Sequence, residues 1–148
     1  MGSDNSQGEV YLTDIVAIAN AQGIKVHKFV HDQAMDVLGV NSRVELALAH
    51  HELQMRRNRE LMLSGVTIYG PETVFIAPNI EIGQDTIIHP GVHITGSSRV
   101  GGECELGAGC LLDNCRIGDQ VVVGGQSVLS NCTIEDRHHL TPHTRRLG

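Results

Sequence analysis

Aliphatic residues recur at intervals of six along the second half of the chain. The series runs through Ile76, Ile82, Ile88, Ile94, Val100, Leu106 and Leu112, and it continues after one deleted residue at Ile117 and Val123. This spacing matches neither the period of an amphipathic helix, about 3.6 residues, nor the alternation of a half-buried strand. It is typical of a repeat architecture in which each six-residue unit forms one face of a coil.

Two further positions of each hexad support this interpretation. A small or branched residue precedes the aliphatic one by two places, at Val74, Ile80, Thr86, Val92, Ser98, Cys104, Cys110, Cys115 and Val121. Glycine follows the aliphatic residue at Gly83, Gly101, Gly107, Gly118 and Gly124, where a corner needs positive φ or close backbone approach. This hexapeptide pattern predicts a left-handed parallel β-helix, a mainly β fold in which residues about 18 apart stack.

A second repeat lies inside the first. Leu112, Asn114, Cys115, Ile117 and Asp119 recur 17 residues later as Leu129, Asn131, Cys132, Ile134 and Asp136. We therefore expect short structural ladders in which Asn114 stacks on Asn131 and Cys115 on Cys132. Residues 137–148 are poor in aliphatic side chains and rich in His and Arg, which predicts a frayed cap or a coil interrupted by the chain end.

Upstream of the hexads the pattern changes to that of a long helix. Ser42, followed three residues later by Glu45, forms a capping box. The predicted apolar stripe consists of Val44, Leu46, Leu48, Leu53, Leu61 and Met62. A linker helix over residues 42–63 would be roughly 30 Å long, so we expect an arm between two bodies.

The residues before this helix indicate the C-terminal end of an α/β domain. Thr13 to about Ala21 predicts a short helix that Gly23 ends, and residues 24–30 alternate like a strand. Residues 9–40 cannot bury both faces of that strand, so we expect them to be weakly ordered or held by a partner chain. The predicted domains are a disordered segment or tag over 1–6, the α/β end over 7–41, and the β-helix over 64–148.

Composition excludes several classes of function. The formal net charge of −6 disfavours a nucleic-acid surface, because binding to phosphates needs a basic face. No apolar run reaches the roughly 18 residues of a membrane span, and a signal peptide is not evident, so we expect a cytoplasmic protein. The four cysteines form no CxxC unit and fall at core positions of the hexads, which favours reduced packing residues over structural zinc.

Three motifs in series resemble a known enzyme family. They are residues 7–14 (QGEVYLTD), residues 39–43 (GVNSR) and residues 61–67 (LMLSGVT). From about residue 5 to residue 144, the chain resembles the bifunctional N-acetylglucosamine-1-phosphate uridylyltransferase and glucosamine-1-phosphate N-acetyltransferase. The resemblance implies the end of a nucleotidyltransferase domain, a linker helix and the first coils of a homotrimeric β-helix that transfers acetyl groups.

The resemblance also implies ligands and site residues. Asn41 resembles the asparagine that ligates Mg²⁺, a hard cation that prefers oxygen donors, or it is a neighbour of the helix cap. Gly39 resembles a glycine whose backbone approaches the sugar, or it is a turn residue. Glu9 and Asp14 resemble residues at the end of the sugar pocket, and Asp14 can equally cap the short helix. The implied ligands are UTP, UDP-N-acetylglucosamine, glucosamine 1-phosphate and acetyl-CoA.

Parts of both active sites have no counterpart in the sequence. Neither the glycine-rich nucleotide loop nor the acidic metal partner of Asn41 occurs. Arg146 is the one candidate for a catalytic arginine, and it matches only with a one-residue gap. We therefore expect a fragment of the bifunctional enzyme that is inactive alone, or a catalytically silent trimeric scaffold.

A zinc hydrolase of the carbonic-anhydrase type is a third hypothesis for this fold. His138 and His143 are five residues apart, and such a site shares three histidines across a trimer interface. Residues 102–104 are Gly-Glu-Cys, so a histidine two coils upstream is missing. The sequence therefore favours surface histidines over zinc ligands.

Overall fold

The computed structural model describes residues 13–32, 34–37 and 39–148, which fall into two compact units, Met1–Gly39 and Val40–Gly148. The predicted tag at residues 1–6 and the sugar-pocket candidate Glu9 lie outside the described residues. The domain boundaries predicted from the sequence for the α/β end therefore stay predictions.

The first unit contains the predicted short helix. Helix α1 spans Asp14–Ala21, and Gly23 follows it with φ +70°, the left-handed conformation common where a helix ends. The predicted cap by Asp14 is wrong, because Thr13 is at the N-cap and no side chain caps the helix. Asp14 instead lies in the first turn, where its negative charge interacts favourably with the helix dipole.

The predicted strand over residues 24–30 is absent from the first unit. These residues have no regular structure, and a 3-10 turn follows at Ala34–Val37. Phe29 is 86% exposed, and Ile24 and Val30 are exposed as well. Alternating polarity makes a strand only when a neighbouring strand takes up the backbone hydrogen bonds, and the described part of this unit contains none.

The second unit begins with helix α2, Arg43–Leu63, and continues as a solenoid of short parallel strands. A 3-10 turn at Pro71–Thr73 follows the first strand. The strands are β1 Thr67–Ile68, β2 Phe75–Ile76, β3 Glu81–Ile82, β4 Ile87–Ile88, β5 His93–Thr95, β6 Arg99–Val100, β7 Glu105–Leu106, β8 Leu111–Asp113, β9 Arg116–Ile117, β10 Val122–Val123, β11 Val128–Ser130, β12 Thr133–Ile134, β13 His139–Leu140 and β14 Arg145–Leu147.

Every third strand belongs to the same sheet. The three sheets have the orders β1-β4-β7-β10-β13, β2-β5-β8-β11-β14 and β3-β6-β9-β12. All pairings are parallel, so the solenoid makes about five turns and the predicted β-helix fold is confirmed.

The hexad aliphatics form the core as predicted. In the second sheet Ile76 lies across from Ile94, Ile94 from Leu112, and Leu112 from Leu129. All four side chains are buried. The spacing in this column shortens from 18 to 17 residues after Leu112. The corner that contains Asn114 is one residue shorter than the equivalent corner of the preceding coil.

The glycines after the aliphatic positions are needed for close backbone approach rather than for positive φ. A Cβ on Gly107 would lie 2.5 Å from the amide nitrogen of Gly125 in the next coil, and Gly83, Gly101, Gly118 and Gly124 are equally crowded. Positive φ instead occurs at other corner positions, including the stacked residues Asp85, Glu103, Gln120 and Arg137. Backbone crowding, not left-handed conformation, therefore selects these glycines.

Of the two alternatives predicted for residues 137–148, the frayed cap is wrong, because these residues form part of a further coil. Strands β13 and β14 continue the first and second sheets, with His139 across from Val122 and Leu140 across from Val123. Leu140 is buried, so the aliphatic repeat extends into this coil. The backbone ladder can accept His and Arg here because ladder hydrogen bonds do not depend on side-chain polarity.

Candidate functional site

The C-terminal half of helix α2 packs against the first coil of the solenoid through polar side chains. Asn58 is fully buried, and its Nδ2 donates to the carbonyl oxygens of Pro71 and Val74, at 2.8 Å each. Gln54 Nε2 donates to the Val74 oxygen at 2.7 Å. One turn further along, Arg57 Nη2 donates to the carbonyl oxygen of Ile80.

These hydrogen bonds satisfy carbonyl groups that have no preceding coil to donate to them. Within the solenoid, the carbonyls of Val92 and Cys110 accept from Phe75 N and His93 N of the preceding coil. Val74 holds the same position in the first coil, where helix α2 stands in place of a preceding coil. The helix therefore caps the open edge of the sheet. Its side chains donate to carbonyl groups that an exposed strand edge otherwise leaves unpaired.

The predicted apolar stripe of helix α2 is not the face that packs against the solenoid. Of its members only Leu61 is buried, whereas Val44, Leu46, Leu48 and Leu53 are more than half exposed. The contact face is instead the Gln54, Asn58 and Leu61 series, which the i, i+4, i+7 spacing could have revealed. The polar members were missed because their acceptors lie on a different element.

Beside this contact is an open groove with three aromatic rings. The His50 ring stacks on Phe75, with centroids 5.4 Å apart and planes at 13°. The centroid of the His93 ring is 5.9 Å from that of Phe75. Gln54, Glu72 and Thr73 complete the lining. The rings join helix α2 to the outer face of the second sheet, which adds packing area to the polar cap.

In the sequence, Gly39 and Asn41 come shortly before Ser42, the N-cap of helix α2. The predicted capping box is confirmed, since Ser42 is the N-cap and its Oγ accepts from Glu45 N at 3.1 Å. Glu45 Oε2 accepts from the backbone N–H of Asn41 at 2.7 Å. This backbone bond, followed by the Ser42 hydroxyl, lowers the pKa of the Glu45 carboxyl.

The metal role predicted for Asn41 rests on a single protein oxygen. Asn41 would contribute one amide oxygen, whereas Mg²⁺ takes an octahedral set of oxygens. Among the residues that the structure describes, no group of three or more His, Cys, Asp and Glu side chains could hold a metal ion. The metal role of Asn41 and the sugar-binding role of Gly39 therefore stay predictions.

Arg146 lies in strand β14, far along the chain from Asn41 and on a separate element. It pairs in register with Leu129 and its side chain is exposed. Its positive charge lowers the pKa of Cys132, against the larger effect of burial. The structure thus places the charge of Arg146 near Cys132, which packs against the core.

The zinc hypothesis gains no support from the histidines of the last coil. His138 and His143 are both exposed, and His143 is at a corner with φ +61°. The described part of the chain offers them no third ligand of the kind zinc needs.

A helix that caps a parallel β-helix of hexapeptide coils defines the chain as a hexapeptide-repeat β-helix protein. Comparison with known proteins then narrows the class. The chain is 46% identical over 114 residues to the protein named "Bifunctional protein GlmU" of Desulfotalea psychrophila, covering 77% of this chain and 34% of that protein. For the proteins of the same name in Geobacter metallireducens and Clostridioides difficile, the values are 45% over 112 residues and 40% over 114 residues.

The chain is therefore homologous to a segment of the bifunctional GlmU proteins, which confirms the resemblance drawn from its motifs. It spans 34% of the Desulfotalea psychrophila protein, 24% of the one from Geobacter metallireducens and 25% of the one from Clostridioides difficile. No protein-family model matches the chain. Among the described helices, none has the length and apolar character required to cross a bilayer.

Proposed function

We propose that this chain supplies the linker helix and the first β-helix coils to an enzyme of UDP-N-acetylglucosamine synthesis. The whole enzyme would transfer acetyl from acetyl-CoA to glucosamine 1-phosphate and then join the product to UTP with Mg²⁺. The chain itself would hold neither complete active site and would act as a homotrimeric assembly segment in the cytoplasm.

The observation that carries this proposal is the identity of 40 to 46% with bifunctional GlmU proteins over about three quarters of the chain. The separation of the candidate residues supports its second part. Asn41 precedes helix α2, whereas Arg146 lies in strand β14, so the metal-binding candidate and the catalytic candidate are on separate elements. Acyl and nucleotidyl transfer both need charge stabilisation by several groups that are fixed in advance.

A catalytically silent trimeric scaffold is the second candidate. Leu111 is 45% exposed on the outer face of the second sheet, in register with Val128, and Leu147 of the same sheet is also exposed. Apolar side chains on a flat outer face favour association with another copy over free solvation. This candidate shares the assembly role but involves no metabolic enzyme.

The test is a coupled assay of the purified chain for UTP-dependent pyrophosphate release and for acetyl-CoA consumption, with Mg²⁺ and glucosamine 1-phosphate or its acetylated form. The Desulfotalea psychrophila GlmU serves as the positive control in the same assay. We expect no turnover in either channel and a trimeric mass by light scattering. Turnover in either channel would contradict the incomplete-site proposal, and a monomeric mass would contradict the assembly role.

A mixing experiment separates the two candidates. The chain is combined with a truncated GlmU that lacks its own linker helix and first coils. Restored turnover would support a segment of the enzyme. A trimer that neither joins the truncated protein nor restores turnover would favour the silent scaffold.

A further inference from the structure

Two cysteine side chains meet at the corner that the 17-residue repeat creates. Cys115 Sγ and Cys132 Sγ are 3.8 Å apart, in neighbouring coils. Each precedes a paired strand, since Arg116 lies across from Thr133, and Arg116 N donates to the Cys132 carbonyl at 3.0 Å. The predicted stacking of the two cysteines is thereby confirmed.

We propose that Cys115 and Cys132 form a reversible oxidation site, at which a small-molecule disulfide such as oxidised glutathione converts the two thiols into a disulfide bond between adjacent coils. Neighbouring strands place backbones about 4.8 Å apart, inside the Cα separation of roughly 4.4 to 6.8 Å that disulfides span. Formation of the bond requires the sulfurs to approach from 3.8 Å to about 2.05 Å through rotation of the cysteine side chains.

The two thiols differ in access, which sets the order of events. Cys115 is fully buried, whereas Cys132 is partly exposed and is the thiol that a dissolved oxidant reaches first. Burial, followed by the neighbouring Cys115 thiol, raises the pKa of Cys132 to about 11, and Arg146 opposes the rise. The first step is therefore slow at neutral pH and faster in alkaline solution, because the thiolate is the attacking species.

The reaction balances as two successive exchanges. The Cys132 thiolate attacks one sulfur of oxidised glutathione and releases one glutathione thiolate. The Cys115 thiolate then attacks the Cys132 sulfur of the mixed disulfide and releases the second glutathione. Two electrons pass from the protein to glutathione, and the two protein protons end on the two glutathione thiols.

The other two cysteines provide matched controls within the same core. Cys104 Sγ donates to the Gly118 carbonyl at 3.1 Å, and Cys110 Sγ donates to the Gly124 carbonyl at 3.2 Å, so both face backbone rather than a second sulfur. Serine is tolerated at these column positions. Ser127 follows Cys110 in its column, and Ser98 precedes Cys115 in its own.

The experiment is peptide mapping of the full chain after incubation with excess oxidised glutathione. Free thiols are then alkylated and the chain is digested with trypsin without reduction. Cleavage after Arg99, Arg116 and Arg137 places Cys115 and Cys132 in separate peptides, residues 100–116 and 117–137. We expect these two peptides linked in the wild type and in Cys110→Ser, and unlinked in both Cys115→Ser and Cys132→Ser.

Three results would overturn the proposal. A link that survives in Cys115→Ser would assign the bond to Cys104 or Cys110. Glutathione retained on Cys132 without any peptide link would make Cys132 a single modifiable thiol. A dimer on a non-reducing gel would place the bond between chains.

A second readout guards against variants that fold poorly. The oxidised wild type and the oxidised Cys110→Ser chain should unfold at higher urea concentration than their reduced forms, because the bond closes a loop in the unfolded chain. The oxidised and reduced samples of Cys132→Ser should unfold at the same concentration. An equal oxidation shift in Cys132→Ser would contradict the proposal.

Discussion

Arg146 lies directly across from Leu129 in the ladder between strands β11 and β14. Leu129 is 1% exposed and continues the column of Ile94 and Leu112, so Arg146 takes the inward register of the next coil with an exposed, charged side chain. The aliphatic column of the second sheet therefore ends at Leu129. Charged residues at such a register hinder the stacking of a further apolar surface on the core.

Replacing this charge by an aliphatic residue should extend the column. Arg146→Leu is expected to raise the free energy of unfolding by roughly 1 kcal/mol, because part of a leucine side chain leaves water. The measurement is urea unfolding followed by circular dichroism. Arg145→Leu is the matched control, since Arg145 faces outward across from Val128 and should change stability much less. Equal gains in the two variants would contradict the assigned register.

Replacement by alanine should lower the free energy of unfolding much more at the buried Leu112 than at its exposed neighbour Leu111. Leu112 is 1% exposed in the middle of its column, and Leu112→Ala is expected to lower the free energy of unfolding by about 2 to 5 kcal/mol. Its neighbour Leu111 faces outward at 45% exposure, and Leu111→Ala should cost at most about 1 kcal/mol. Denaturant unfolding of both variants tests this, and similar costs would refute the assignment of inward and outward faces.

The amide of Asn58 should be essential for capping the solenoid. Asn58→Ala removes the donor to the carbonyls of Pro71 and Val74, and is expected to cost about 1 to 3 kcal/mol. Hydrogen exchange of the first coil gives the local readout and should accelerate. Arg59→Ala, on the exposed side of the same helix, should stay within about 0.5 kcal/mol. Unchanged exchange in Asn58→Ala would show that the helix caps the edge without this side chain.

The N-terminus of helix α2 should depend on pH through Glu45. The Asn41 N–H, followed by the Ser42 hydroxyl, holds the pKa of this carboxyl below 4.5, its ordinary value. A lowered pKa stabilises the folded form above pH 4.5, and the stabilisation is lost as pH falls through the folded-state pKa. Circular dichroism between pH 7 and pH 2 should show more helix lost in the wild type than in Glu45→Gln. Parallel curves for the two chains would exclude this role for Glu45.

Local signals in the sequence predicted the parts of the fold that depend on nearby residues. The period of six predicted the coils, and Ser42 with Glu45 predicted the helix start, because each rests on interactions within a few residues or one coil. The stacking of Cys115 on Cys132 followed from the 17-residue repeat for the same reason. The strand over residues 24–30 failed, since pairing needs a second strand that the local pattern cannot supply.

By itself, the sequence determined the solenoid, its columns and its homology to a segment of a bifunctional enzyme. Only the tertiary structure decided which face of helix α2 makes the cap, because the acceptors of Gln54 and Asn58 are carbonyls of the first coil that have no preceding coil to bond them. It also decided that Arg146 takes a core register beside Cys132. Such contacts join residues distant in the chain, and their energies depend on which backbone groups the completed fold leaves unpaired.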